Sequence, residues 1–232
     1  MSAIDASCLP FRGWLLVAAL VALVASGIAP YDRRDWVLEH VPTAALLAFL
    51  VWYENRHGGA PLGNASYALL FVFTLLHMIG AHHLYSRVPY EAWAQEWFGV
   101  SMSGALGTTR NHYDRIVHFS FGLLVLLPLA EIVHRHICPS QLWTIAVAIA
   151  FLGVMSKVYE LCEWAVAIAL SPDAAEAYNG QQGDPFDAQK DMALALAGSF
   201  VACPFVALRF RLRPARETRG QASAPQAPDA GA

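Results

Sequence analysis

Glu160 and Glu163 stand three residues apart in VYELCEW (158–164), near the end of a long apolar run in a chain of which only 14% is charged. RNHYDRIVHF carries Asp114 and His118 four residues apart, and GDPFDAQKDM carries Asp184 and the i,i+4 pair Asp187 and Asp191. HMIGAHHLY adds His77 and His82. Spacings of three and four place such groups on one or adjoining faces of a helix. Carboxylates and imidazoles gathered in this way bind divalent cations or pass protons. The candidate pocket therefore comprises His77, His82, Asp114, His118, Glu160, Glu163, Asp184, Asp187 and Asp191. If a divalent metal ion is held, its ligands come from Asp114, His118, Glu160, Glu163, Asp187 and Asp191. Arg87 and Arg110, in the long segment between apolar runs, are the candidates for holding an anionic substrate group.

Each residue also has a structural reading. Asp184 before Pro185 matches a helix N-cap with proline in the first turn, and Asp187 then suits the positive helix end. His82 and its neighbour His83 suit a headgroup zone, and His134 and His136 read as ordinary interfacial residues. Glu160 and Glu163 can equally form ion pairs with Arg110, Arg115 or Lys157 that only fasten helices together. Arg33 and Arg34, between Asp32 and Asp35, read as a solvated loop.

Positioning these groups falls to helices. The chain has 232 residues, 56% of them hydrophobic, whereas a soluble domain carries about a quarter charged residues. Six apolar segments run approximately over 13–30, 36–53, 65–83, 112–133, 141–170 and 187–208. A bilayer core takes about 20 helical residues, and a chain crossing it must satisfy its backbone internally. The expectation is an all-α, six-span membrane bundle over residues 1–210, with Glu39 of the second helix as a further candidate for the pocket. Residues 211–232 form an Arg-rich, then Pro/Ala-rich, disordered tail. The first segment is either a retained span or the core of a cleaved signal peptide. Arginines 209, 211, 213, 216 and 219 place both termini in the cytoplasm. The acids and imidazoles then share the outer side, with Glu160 and Glu163 about 27–32 Å along the fifth helix. Trp93, Trp97 and Phe98 in the 84–111 loop predict a short interfacial helix, and 171–186 is turn-rich.

Other chemistries are poorly represented. Cys8, Cys138, Cys162 and Cys203 lie far apart without a CxxC pair, which argues against a metal cluster or disulfide framework. No basic block interleaved with aromatics suggests nucleic acid, and neither HExxH nor a nucleophile elbow occurs.

At YDRIVHFSFGLL, KVYELCEW and GQQGDPFDAQKDMALALAG the chain resembles the YjdF-like bacterial inner-membrane proteins, a domain-of-unknown-function family, over approximately residues 13–208. Phe186 stands where an aromatic, often Trp, is usual. DRIVHFSFGLL is also similar to the core of the VanZ-like membrane proteins, which carry an Asp and a His at this spacing. The resemblance implies a multi-pass protein of the bacterial inner membrane and marks Asp114, His118, Glu160, Glu163, Asp184, Asp187 and Asp191 as motif positions. It implies no activity. Three functions stay open: a structural or accessory protein held together by its polar cluster, a membrane-embedded metal-dependent enzyme acting on a lipid or envelope substrate, and an ion- or proton-coupled transporter. The bilayer is the one partner common to all three, and oligomeric state is left open.

Overall fold

A computed structural model describes residues 10–58, 61–138, 140–169 and 180–211. The tail from 212 onward, Cys8 and residues 170–179 lie outside the described residues. Eight α-helices and one 3-10 turn are found among those described, with no strand. They are α1 (Phe11–Ser26), α2 (Arg33–His57), α3 (Asn64–His83), α4 (Tyr90–Phe98), α5 (Met102–Leu106), α6 (Tyr113–His136), α7 (Gln141–Ala169) and α8 (Asp187–Arg211), with the 3-10 turn at Tyr85–Arg87. The protein is an all-α polytopic bundle. α2, α3, α6, α7 and α8 are long and apolar enough to cross a membrane.

The sixth expected span is shorter than the sequence suggested. α1 has 16 residues, or about 24 Å of helix against a hydrocarbon core of about 30 Å. It stops at Ser26 because the chain turns through Gly27, Ala29 (φ 50°) and Pro30. α2, by contrast, starts earlier than expected. The Asp32 carboxylate accepts the backbone N–H groups of Arg34 (2.7 Å) and Asp35 (3.1 Å), a side-chain N-cap that draws Arg33 and Arg34 into the first turn rather than a loop.

Within the bundle, α6 packs on α3, α7 and α8, and α1 and α2 pack on α3. The apolar core runs through Tyr53, Leu70, Leu126, Ala130, Leu152 and Val206. Val24 on α1 and Leu142, Trp143, Trp164, Phe200 and Phe205 on the long helices are exposed on the outside. An apolar exterior of that extent suits lipid rather than water.

α6 and α8 make the closest helix contact. It runs over Gly122 and Gly198, where an added Cβ would strike the backbone of the opposite helix: Ala195 O and Ser199 N at Gly122, Phe119 O and Leu123 N at Gly198. Small residues allow such an approach between membrane helices. The same contact brings the first two turns of α6 and α8 together, and these carry Asp114, His118, Asp187 and Asp191. The expected short helix is α4, whose Trp97 and Phe98 remain exposed while Trp93 stacks on Trp97.

Candidate functional site

The ionisable groups of five helices meet at one end of the bundle. The N-terminal turns of α2, α6 and α8 lie there beside the C-terminal turns of α3 and α7. Polar side chains there fall into two groups by their partners.

At the mouth, Asp184 and Asp187 are taken up by bases. Asp187 Oδ1 accepts from Arg110 at 2.5 Å and from Arg115 at 3.3 Å. Asp184 Oδ2 accepts from Arg115 at 2.6 Å and from Lys190 at 2.5 Å, and Asp184 Oδ1 accepts the Phe186 N–H at 3.1 Å. The Lys190 ammonium, together with the Phe186 and Arg115 donors, holds the Asp184 carboxyl down to about 2. Arg110 also donates to the Gln181 carbonyl, and Asn111 and Gln182 exchange hydrogen bonds at 2.9 and 3.0 Å. Two loops are thereby strapped together over the acids beneath. α8 itself begins at Asp187, two residues beyond the start read from Asp184-Pro185, so Asp184 organises the turn before the helix.

Beside these pairs, Asp114, His118 and Asp191 each offer one ligand atom, and these atoms all lie within 4.8 Å of one another. His118 Nε2 stands 3.4 Å from Asp114 Oδ1 and 3.5 Å from Glu160 Oε1. Both approaches are long for hydrogen bonds. Asp191 is only 2% exposed, and its Oδ1 is buried with no hydrogen-bond partner; Glu160 Oε1 is likewise buried and without one. Two oxygens of this kind are costly to bury in a bundle. The trio comes from α6 and α8, whose small-residue contact fixes its width. Glu160 of α7 approaches the trio at His118, outside the 4.8 Å group.

Beside this trio, Glu39 of α2 is buried and its Oε2 accepts the Tyr159 hydroxyl at 2.9 Å. Glu163 is half-buried and within electrostatic range of Glu39, Glu160 and Asp114. Tyr159 had no sequence signal beyond standing next to Glu160, and an aromatic in an apolar helix is ordinarily core.

Three sequence candidates are turned elsewhere. His77 is buried against Glu39, but its Nε2 bonds the Glu39 carbonyl at 2.8 Å and its Nδ1 bonds the Tyr85 hydroxyl, so both ring nitrogens are in use. His82 Nδ1 bonds the Ser26 carbonyl at 2.8 Å and so fastens α3 to the end of α1. Arg87 is exposed and lies over the Tyr31 ring, 4.4 Å from its centroid, instead of joining Arg110. Arg115, read from sequence only as an ion-pair partner for the glutamates, sits beside Arg110 at the mouth. Neither arginine is at ion-pair distance from Glu160 or Glu163, whose expected pairing with Arg110, Arg115 or Lys157 is not found.

The arrangement combines a carboxylate-rich, one-imidazole recess with a roof of arginines. It can hold a cation below and engage an anion above. Comparison with known proteins gives the chain's kinship but not its chemistry. A relative from Escherichia coli (strain K12), described as "Inner membrane protein YjdF", is 32% identical over 195 residues, covering 84% of this chain and 87% of the relative. No solved structure matches. The family model described as "Predicted membrane protein (DUF2238)" matches residues 11–212, and with it the whole of the recess and its roof: this chain belongs to that family of integral membrane proteins.

Proposed function

We propose that this membrane protein binds one divalent cation through Asp114, His118 and Asp191, with Glu160 as a fourth donor, and that the cation activates water or polarises a substrate oxygen at one face of the membrane. The observation that carries this reading is the trio of ligand atoms within 4.8 Å, together with a buried Asp191 carboxylate one of whose oxygens has no partner. Ligands about 2.0–2.3 Å from one cation are at most about 4.6 Å apart. That limit belongs to a trans pair; in a tetrahedral set the separation is about 3.5 Å, so the trio draws in by up to about 1 Å to close on a metal.

Charge points the same way. Asp184 and Asp187 are matched by Arg110, Arg115 and Lys190. Among the described residues, His118 is the only base at ion-pair distance from any of Asp114, Glu160, Glu163, Asp191 and Glu39. So many carboxylates at membrane depth need a cation or protons. An oxygen-rich set with one imidazole suits Mn²⁺, Fe²⁺ or Zn²⁺. A bound cation of this kind lowers the pKa of its water and stabilises negative charge on a neighbouring oxygen. Asp187, read from sequence as a ligand, is better assigned to the two arginines. Glu163 is a reserve base beside Glu160.

The structural reading retains one specific support. The Asp184–Asp187–Arg110–Arg115–Lys190 network links α8 to the loop before α6, which is what a purely fastening cluster would do. Metal content separates the two. Protein purified in mild detergent with Mn²⁺ present and then dialysed without chelator is expected to retain about one metal per chain by elemental analysis. Asp191→Asn is expected to lose it while remaining folded. Wild-type protein that is metal-free after this treatment, and whose melting temperature Mn²⁺ and Zn²⁺ leave unchanged, would leave the fastening role as the better account.

Orientation belongs to the same proposal. Arg209 and Arg211 at the end of α8 put that end in the cytoplasm and the recess at the outer face. A C-terminal GFP fusion that fluoresces, paired with an inactive C-terminal alkaline phosphatase fusion, is the expected outcome; the opposite pattern inverts the protein.

A further inference from the structure

Arg110 and Arg115 are not exhausted by their carboxylates. A guanidinium offers five N–H donors. Arg110 uses its terminal nitrogens on Asp187 and the Gln181 carbonyl, and Arg115 uses one terminal nitrogen on both Asp184 and Asp187. Nε of each is buried and has no hydrogen-bond partner. Nε2 of His112, between them in sequence, is buried and partnerless too. The Arg110 side chain is nine-tenths buried. The two guanidiniums share a single Asp187 oxygen, which brings their terminal nitrogens together; His112 is within electrostatic range of both arginines, and Asp191 of the cation trio is within that range of Arg115. Buried donors without acceptors are rare in native proteins and call for an account.

We propose that the roof of the recess is a phosphate-binding subsite, in which Arg110, Arg115 and His112 hold the phosphoryl group of a phosphate monoester against the cation below. This rests on the cation reading for its second anchor, though not for the arginines themselves. A phosphate monoester is favoured over a carboxylate by count. A carboxylate has two oxygens, and one guanidinium in fork geometry satisfies both. Two separate Nε–H donors and a cation require three oxygens on one centre. The phosphate is carried by a lipid headgroup or is free in solution, and the two sources share the chemistry that the arginines recognise.

Binding of two probes, inorganic phosphate and dihexanoyl phosphatidic acid, is measured by calorimetry on the full chain in detergent, once with Mn²⁺ and once with EDTA. Mn²⁺ affinity is measured separately by electron paramagnetic resonance. Arg110→Lys and Arg115→Lys keep the charge opposite Asp184 and Asp187, and so the fold, but remove the planar donor set. Each is expected to weaken phosphate binding by about ten- to a hundredfold, the worth of one or two hydrogen bonds to a charged group, with the melting temperature and Mn²⁺ affinity near wild type. His112→Ala is expected to weaken it less, in the same direction. Tighter binding of phosphatidic acid than of phosphate identifies a lipid headgroup; equal or weaker binding identifies a soluble phosphate, and both support the subsite. If Mn²⁺ fails to bind but phosphate binds in an arginine-dependent way in EDTA, the cation reading falls and the subsite stands. If Mn²⁺ binds while neither probe does, or while the lysine variants bind phosphate as wild type does, the subsite is overturned and the cation reading survives.

Discussion

Replacing Gly122 by alanine tests the contact on which the recess depends. The new Cβ would lie 2.7 Å from Ser199 N and 2.9 Å from Ala195 C, and closer still to Ala195 O. Ordinary contact begins at 3.4 Å, so α8 must withdraw by at least 0.7 Å to clear the nitrogen and further to clear the carbonyl. All these atoms are backbone, so no side chain can swing aside. Overpacking of this kind costs about 1–3 kcal/mol, against which an alanine in a helix interior gains about 1 kcal/mol over glycine. Gly153 in α7 supplies the control, because its added Cβ meets nothing within 4 Å. Gly153→Ala keeps the propensity gain without the clash. With about 2–4 °C per kcal/mol for a chain of this size, Gly122→Ala is expected to unfold about 2–12 °C below Gly153→Ala in a detergent melting assay. The same withdrawal carries Asp191 away from Asp114 and His118, which already stand at the limit of what one cation bridges. Mn²⁺ affinity is therefore expected to fall by about ten- to a hundredfold, the usual cost of disturbing the support of a metal site. Equal melting temperatures and equal Mn²⁺ affinities for the two variants would refute the close α6–α8 crossing and the reasoning built on it.

Asp184→Asn is expected to lower the melting temperature at pH 7 and to make progressively less difference as the pH falls toward 2. The folded Asp184 carboxyl is held down to about 2 by Lys190 and its other partners, below the ordinary 3.8, so its contribution is complete above about pH 4 and disappears as pH falls through 2. A melting series across pH 2–7 reads this directly, and a constant difference between wild type and variant contradicts it. Tyr159→Phe removes the hydroxyl that Glu39 Oε2 accepts and is expected to destabilise the protein by about 1–3 kcal/mol; Glu39→Gln in the same background should recover part of the loss, and a double-mutant cycle without coupling would speak against the pair.

Composition and periodicity settled the elements of this chain, because burying apolar residues in lipid while satisfying every backbone group leaves helices as the economical solution. Five of the six apolar segments became long helices at nearly the expected bounds, and α1 fell short only because Gly27 and Pro30 interrupt it. The helical spacing of Asp114 with His118, and of Asp187 with Asp191, was equally legible, since i,i+4 neighbours share a face whatever packs against it. Which of these groups face one another was not legible. Partner choice depends on how α6 crosses α8, and that crossing is set by Gly122 and Gly198, two small residues whose role lies in the backbone atoms opposite them. Only the tertiary structure gives Asp184 and Asp187 to the arginines, leaves Asp114, His118, Asp191 and Glu160 around one space, turns His82 to the end of α1 and Arg87 to Tyr31, and occupies both nitrogens of His77. Charge and spacing along a chain limit what a residue can do; the distances between helices decide which partner reaches it first.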